Sequence, residues 1–196
     1  MFLLGLTGSI GMGKSTTAKM FADAGCAVWD ADAAVHRLYA QGGAAVKPLS
    51  KLFPSAVTAG CVSREVLKSI IATDPSALKR IEEIVHPLVA EDRAQFIAEI
   101  QADIVVLDIP LLFEKGGEKR VNAVACVDVD PVTQKQRVLA RGTMDEKQFL
   151  NILAKQMPNS DKCARADYVI MTETFEGARA RVIEIVKEIR EKLRNA

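Results

Sequence analysis

Apolar residues fall into two alternating rhythms along this chain. Unbroken runs cover 2–7 (FLLGLT), 26–29, 104–108 (IVVLD), 123–128 (AVACVD) and 168–171. Each is too short for a buried helix, and the valine-rich ones suit strands covered on both faces. Between them the helical period takes over. Ala18, Phe21 and Ala22 share one face of a helix expected over 14–24, which Gly25 is placed to end with a left-handed cap. Helices are also expected over 131–141 and 145–156, with Pro158-Asn159-Ser160 as a turn. A closing helix over 174–193 carries Val182, Ile185, Val186 and Ile189 at i, i+3, i+4 and i+7.

From Asp32 to Gln101 the pattern is helical almost throughout, with Val35, Leu38 and Tyr39 on one stripe and Val66, Ile70 and Ile71 on another. A later helix starts at Asp74-Pro75, where proline suits the first helical position behind an aspartate cap. His86-Pro87 should break or kink it, because proline lacks the N–H and disfavours helix in the residue before it. Strands alternating with helices imply a five-stranded parallel sheet covered on both sides, an α/β three-layer fold, with 30–102 as a helical insertion. Ligands in such folds bind beyond the carboxyl ends of the strands.

Composition narrows the picture. A chain of 196 residues can bury one substantial core with insertions, and 49% hydrophobic with 26% charged residues describes a packed globular protein. The net charge of +1 provides no global field for nucleic acid or an acidic membrane surface, so neither is expected as a partner. Cys26, Cys61, Cys126 and Cys163 form no CxxC pair and read as buried small hydrophobes in a reduced compartment. With no run of 18 apolar residues and no basic leader, a cytoplasmic location is expected.

The chemistry concentrates at the first strand-to-helix junction. Gly8-Ser9-Ile10-Gly11-Met12-Gly13-Lys14-Ser15 satisfies GxxxxGK[ST] in the context that motif requires. This is a P-loop. Its glycines let backbone N–H groups curl around phosphates, the helix start adds positive potential, Lys14 reaches the β and γ phosphates, and Ser15 ligates magnesium. Thr16 follows in the same turn. ATP with Mg2+ is therefore the expected ligand. The bland alternative is a glycine-rich turn alone.

Asp30 and Asp32 stand at the end of the second strand, where an acceptor hydroxyl would meet the γ phosphate. Asp32 is read as the proton acceptor and Asp30 as a helix cap or supporting group, although the two could exchange roles. Asp108 ends IVVLD, from which a carboxylate can reach the metal's hydration shell; otherwise it forms a turn before Pro110. Residues 134–165 carry seven basic and three acidic residues, a net +4, which suits a lid closing over transferring charge; a solvated helix face would look similar. Arg137 and Arg141 lie four apart and so share a face.

GLTGSIGMGKST, WDADAAVHRLY, IVHPLV, DIPLLFE and ILAKQM, in that order from Phe2 to about Ile170, resemble the dephospho-CoA kinase family. The resemblance implies ATP-dependent phosphorylation of the ribose 3′-hydroxyl of dephospho-coenzyme A, giving coenzyme A and ADP as the last step of coenzyme A synthesis. It also implies a P-loop NTPase core (1–29, 103–137 and 166–196), a helical acceptor domain (30–102) and a small helical lid (138–165), in a monomer or small homo-oligomer. Asp32 would be the base. His36, His86 and Leu111-Leu112-Phe113-Glu114 would line the acceptor side, and Arg137 and Arg141 would serve the lid. The pattern departs at Asn151, often arginine in the family, and over 171–177, where an asparagine near a glycine is usual. Another small-molecule P-loop kinase, or a nucleotide-dependent switch, would share the loop but not this acceptor.

Overall fold

A computed structural model describes residues 1–195. In chain order its elements are β1 (Phe2–Thr7), α1 (Lys14–Asp23), β2 (Ala27–Asp30), α2 (Ala31–Tyr39), α3 (Val46–Leu52), β3 (Val57–Thr58), β4 (Cys61–Val62), α4 (Arg64–Thr73), α5 (Ser76–Glu99), β5 (Ile104–Asp108), β6 (Ala123–Asp128), α6 (Pro131–Ala140), α7 (Glu146–Leu153), α8 (Asn159–Arg165), β7 (Tyr168–Met171) and α9 (Phe175–Arg194). They divide into two compact units, the first formed by 1–29 together with 101–195 and the second by 30–100.

The first unit is a five-stranded parallel sheet in the order β2-β5-β1-β6-β7, flanked by helices. Every residue of β5 is buried, which is why that strand is a continuous apolar run. Leu4, Leu6, Ile104, Val106, Ala125 and Val127 pack with Phe21 of α1 and with Val182, Ile185, Val186 and Ile189 of α9. The stripe read on the closing helix is thus its buried face. β1, at the centre, pairs with both β5 and β6, so the loop after Thr7 leaves from the middle of the carboxyl edge. Gly25 adopts φ 84° and ends α1 as expected.

The second unit is helical and has its own core of Leu38, Leu49, Phe53, Leu67, Ile81 and Val85. Two features differ from the sequence reading. α5 runs unbroken through Pro87; the burial of Ala77, Ile81 and Val85 along its inner face outweighs one missing backbone hydrogen bond. The short hairpin β3–β4 was not expected, since two-residue strands are too short to show alternation; Ala59 (φ 50°) and Gly60 (φ 76°) make its turn. Asp74 does act at the start of α5, its Oδ1 accepting from the Ser76 amide at 3.0 Å.

Candidate active site

The phosphate loop joins β1 to α1. Gly11 (φ 83°) and Gly13 (φ 90°) adopt left-handed backbone, and a Cβ on Gly11 would lie 2.6 Å from the Val138 side chain and 3.0 Å from the Gln134 carbonyl oxygen. Glycine is therefore required by space as well as by φ. The first turn of α1, beginning at Lys14 and Ser15, offers amides with no intrahelical acceptor.

Side chains from elsewhere in the same unit hold the start of this loop. The Ser9 amide donates to Asn159 Oδ1 at 2.9 Å and the Ile10 amide to Gln156 Oε1 at 3.1 Å. The Ile10 carbonyl accepts from Gln134 Nε2 at 2.7 Å. Asn159 is itself oriented by its Nδ2, which donates to the Val127 carbonyl at 3.0 Å and to Asp128 Oδ1 at 2.8 Å.

Lys14 Nζ is ion-paired and hydrogen-bonded to Asp108 Oδ1, and Asp108 is 1% exposed at the end of β5. The lysine is thereby parked at the loop. Ser15 and Thr16 are exposed at the start of α1. Among the described residues no three His, Cys, Asp or Glu side chains cluster as a metal cage. A serine hydroxyl in the loop and a carboxylate paired with the neighbouring Lys14 fit Mg2+, which keeps waters and takes phosphate oxygens rather than a full set of protein ligands.

Beside the loop lies a cleft of about 230 Å³ lined by Gly13, Thr16, Thr17, Arg137, Arg141 and Phe175, with Thr172 and Thr174. Arg137 donates from Nη1 to Thr172 Oγ1 at 3.0 Å and from Nη2 to the Thr172 carbonyl at 2.5 Å. Thr172 Oγ1 donates in turn to the Met12 carbonyl at 2.8 Å. The two arginines, at the last turn and C-cap of α6, thus stand over one cleft, and the 171–177 segment that departs from the family pattern builds its other wall.

Leu111-Leu112-Phe113-Glu114 is placed less openly than expected for ligand contact. Leu112 and Phe113 are buried with Val124, Glu114 is half-buried, and Leu111, 36% exposed, is the most open of the four. Glu114 Oε1 pairs with Lys162 Nζ at 2.9 Å and accepts the Met157 amide at 2.9 Å. Burial pushes the Glu114 carboxyl up, but hydrogen bonds from Lys162 and Met157, with the lysine's charge, leave it below its ordinary value.

In the helical unit, Asp30 is the N-cap of α2, its Oδ1 accepting from the Asp32 amide at 2.7 Å and the Ala33 amide at 3.0 Å. That leaves the exposed Asp32 carboxylate free of capping duty. His36 is exposed one turn further along α2; His86, on α5, lies 3.7 Å from Glu82.

Sequence reasoning missed Gln156, Asn159, Thr172 and Lys162 as site-building residues. Asn159 was read as part of a turn, whereas it begins α8. The cysteines were read singly, yet Cys126 and Cys163 bring their sulfurs to 3.5 Å, and Cys61 and Cys163 are only half-buried. No helix among the described residues is long and apolar enough to cross a membrane.

The family model described as dephospho-CoA kinase matches residues 2–176. A dephospho-CoA kinase of Ruegeria pomeroyi is 68% identical over 189 residues, covering 96% of each chain. One from Cereibacter sphaeroides is 58% identical, covering 97% of this chain and 96% of its own. Among solved structures, a Thermus thermophilus protein superposes with a TM-score of 0.86 at 33% identity, covering 95% of this chain and 96% of that one.

Proposed function

We propose a division of labour among the residues described above, on the premise that the chain belongs to the dephospho-CoA kinase family and performs that family's ATP-dependent phosphorylation of dephospho-coenzyme A. The observation that carries the proposal is the Lys14–Asp108 pair at the mouth of a glycine loop that admits no Cβ at Gly11.

The amides of Gly13, Lys14, Ser15 and Thr16 cradle the β and γ phosphates, and Gly8, Ser9, Ile10, Gly11 and Met12 shape the turn that aims them. Lys14 exchanges Asp108 for phosphate oxygens when nucleotide arrives. Ser15 and Asp108 would hold magnesium, which when bound neutralises charge on the β and γ oxygens. The adenine occupies the cleft between Arg137 and Phe175. Arg137 is fixed by Thr172; Arg141 at the rim is the cation that meets charge growing on the transferring group.

Asp32 takes the proton from the ribose 3′-hydroxyl as that oxygen bonds to the γ phosphorus and the bond to the β,γ-bridging oxygen breaks, releasing ADP. Asp30 keeps the first turn of α2 in place beneath it. His36 and His86 lie on the acceptor side, and Leu111 is the solvent-facing member of a segment whose Leu112, Phe113 and Glu114 anchor it. The anchoring of Gln156, Asn159 and Lys162 confines the moving lid to α7 and its flanks, narrower than 138–165. The enzyme works in the cytoplasm, as a monomer or small homo-oligomer.

A coupled assay of ADP release with and without dephospho-coenzyme A tests the whole. Release that depends on the acceptor is expected; acceptor-independent hydrolysis would overturn transfer in favour of a switch.

A further inference from the structure

We propose that Arg64 is the residue that binds the diphosphate of the acceptor; this rests on the assignment of Asp32 as the base at the ribose 3′-hydroxyl. Arg64 opens α4, and its guanidinium lies 5.8 Å from the centre of the Tyr39 ring and 3.5 Å from the Asp32 carbonyl oxygen. Tyr39 lies two turns along α2 from Asp32, on the same face. One half-buried cation therefore stands beside the backbone of the proposed base and within reach of an aromatic ring.

What that cation lacks is an anion. Elsewhere in the same unit Arg37 makes a bidentate contact with Asp92, at 2.6 and 3.1 Å, and Arg80 pairs with Asp74. Among the described residues no carboxylate accepts from Arg64, and the adjacent Glu65 is taken by Lys68 at 2.9 Å. A guanidinium has five donors in a rigid fork, and a long contact to one neutral carbonyl leaves most of them unspent. The contact with the Tyr39 ring does not neutralise the guanidinium, which leaves its fork open to a bidentate partner such as a phosphate.

The substrate supplies that partner at the required span. In dephospho-coenzyme A only the width of the ribose separates the 3′-hydroxyl from the 5′-diphosphate, and the Arg64 guanidinium lies within 3.5 Å of the Asp32 backbone. An arginine beside the base would hold the diphosphate while the hydroxyl is presented, contributing to acceptor selection rather than to bond making. Arg64 is thus a substrate-binding residue, distinct in its kinetic signature from Asp32.

The test compares Arg64→Ala, Arg64→Lys and wild type in the coupled assay, with adenosine as a competitive inhibitor that carries the same 3′-hydroxyl without the diphosphate. For Arg64→Ala the KM for dephospho-coenzyme A should rise roughly 10- to 100-fold, as expected for loss of hydrogen bonds to a charged group. Its kcat and its KM for ATP should stay within a few-fold, and the adenosine inhibition constant should be unchanged. Arg64→Lys should recover part of the loss. An unchanged KM for dephospho-coenzyme A, or an adenosine inhibition constant that rises by the same factor, would overturn the assignment; the second outcome would mark a collapsed acceptor site, which a lowered melting temperature would corroborate. Failure of the underlying kinase reading looks different, because wild type itself would then show no acceptor-dependent ADP release.

Discussion

Lys162 Nζ, fully buried, lies 2.9 Å from Glu114 Oε1 and donates to the Pro110 carbonyl at 3.2 Å. Thr7 Oγ1 donates to that same carbonyl at 3.1 Å. One lysine therefore ties α8, which carries the loop-holding Asn159, to the segment that leaves β5 just beyond Asp108. The pair is a brace between these two segments.

Removing either end strands the other. Lys162→Met leaves a largely buried carboxylate without its cation, and Glu114→Gln leaves a buried ammonium without its anion; a loss of about 3–5 kcal/mol is expected for either. Thermal melts should fall by roughly 6–20 °C. The pH dependence has a definite sign. Glu114 sits below its ordinary value when folded, so its contribution is complete above the unfolded glutamate value of about 4.3 and is lost as pH falls through the folded one. The gap in melting temperature between wild type and Glu114→Gln should narrow on acidification; a constant gap would refute the linkage.

Lys14→Ala should lower kcat by roughly 10²–10³-fold, the scale seen when one preorganised donor to developing charge is removed. The variant should fold but melt lower than wild type, because the substitution also removes the ion pair to the buried Asp108. Asp108→Asn should instead shift the magnesium dependence of the rate upward while leaving Lys14 freer to meet phosphate. Rates measured against free Mg2+ separate the two variants.

How much of this could be read beforehand depended on distance along the chain. The phosphate loop was legible because its chemistry is a property of consecutive backbone positions, and the capping role of Asp30 because a cap is a contact two or three residues long. The brace from Asn159 to Ser9 spans 150 positions, and that from Lys162 to Glu114 joins residues on different elements. No local pattern encodes such pairs. Pro87 shows the reverse case, a strong local rule overridden by the apolar face that α5 buries.

Asp30 and Asp32 should separate cleanly on substitution. Asp32→Asn removes the proton acceptor and keeps its shape, so kcat should drop roughly 10²–10⁴-fold with KM for dephospho-coenzyme A little changed. Asp30→Ala removes two capping contacts and should cost about 1 kcal/mol of stability with a smaller effect on rate. Steady-state kinetics beside thermal melts distinguish the pair, and equal kcat losses would return the question of which aspartate is the base.

Gln156 and Asn159 make the most demanding prediction, since neither is expected to touch nucleotide. Their side-chain oxygens accept the Ile10 and Ser9 amides at the start of the loop, so losing either strands a partly buried donor, a cost of about 1–3 kcal/mol. The loop can escape that cost only by rotating its peptides toward water, and rotation there changes the direction of the amides that follow. Part of the penalty should therefore surface as weaker binding of a non-hydrolysable ATP analogue, roughly 3- to 30-fold by calorimetry, with KM for dephospho-coenzyme A unaltered. Asn159→Asp keeps the acceptor for Ser9 but brings a second carboxylate against Asp128, which Nδ2 now satisfies at 2.8 Å. It should consequently bind nucleotide no better than Asn159→Ala, and near-normal affinity in both variants would show that the loop holds its shape without this brace.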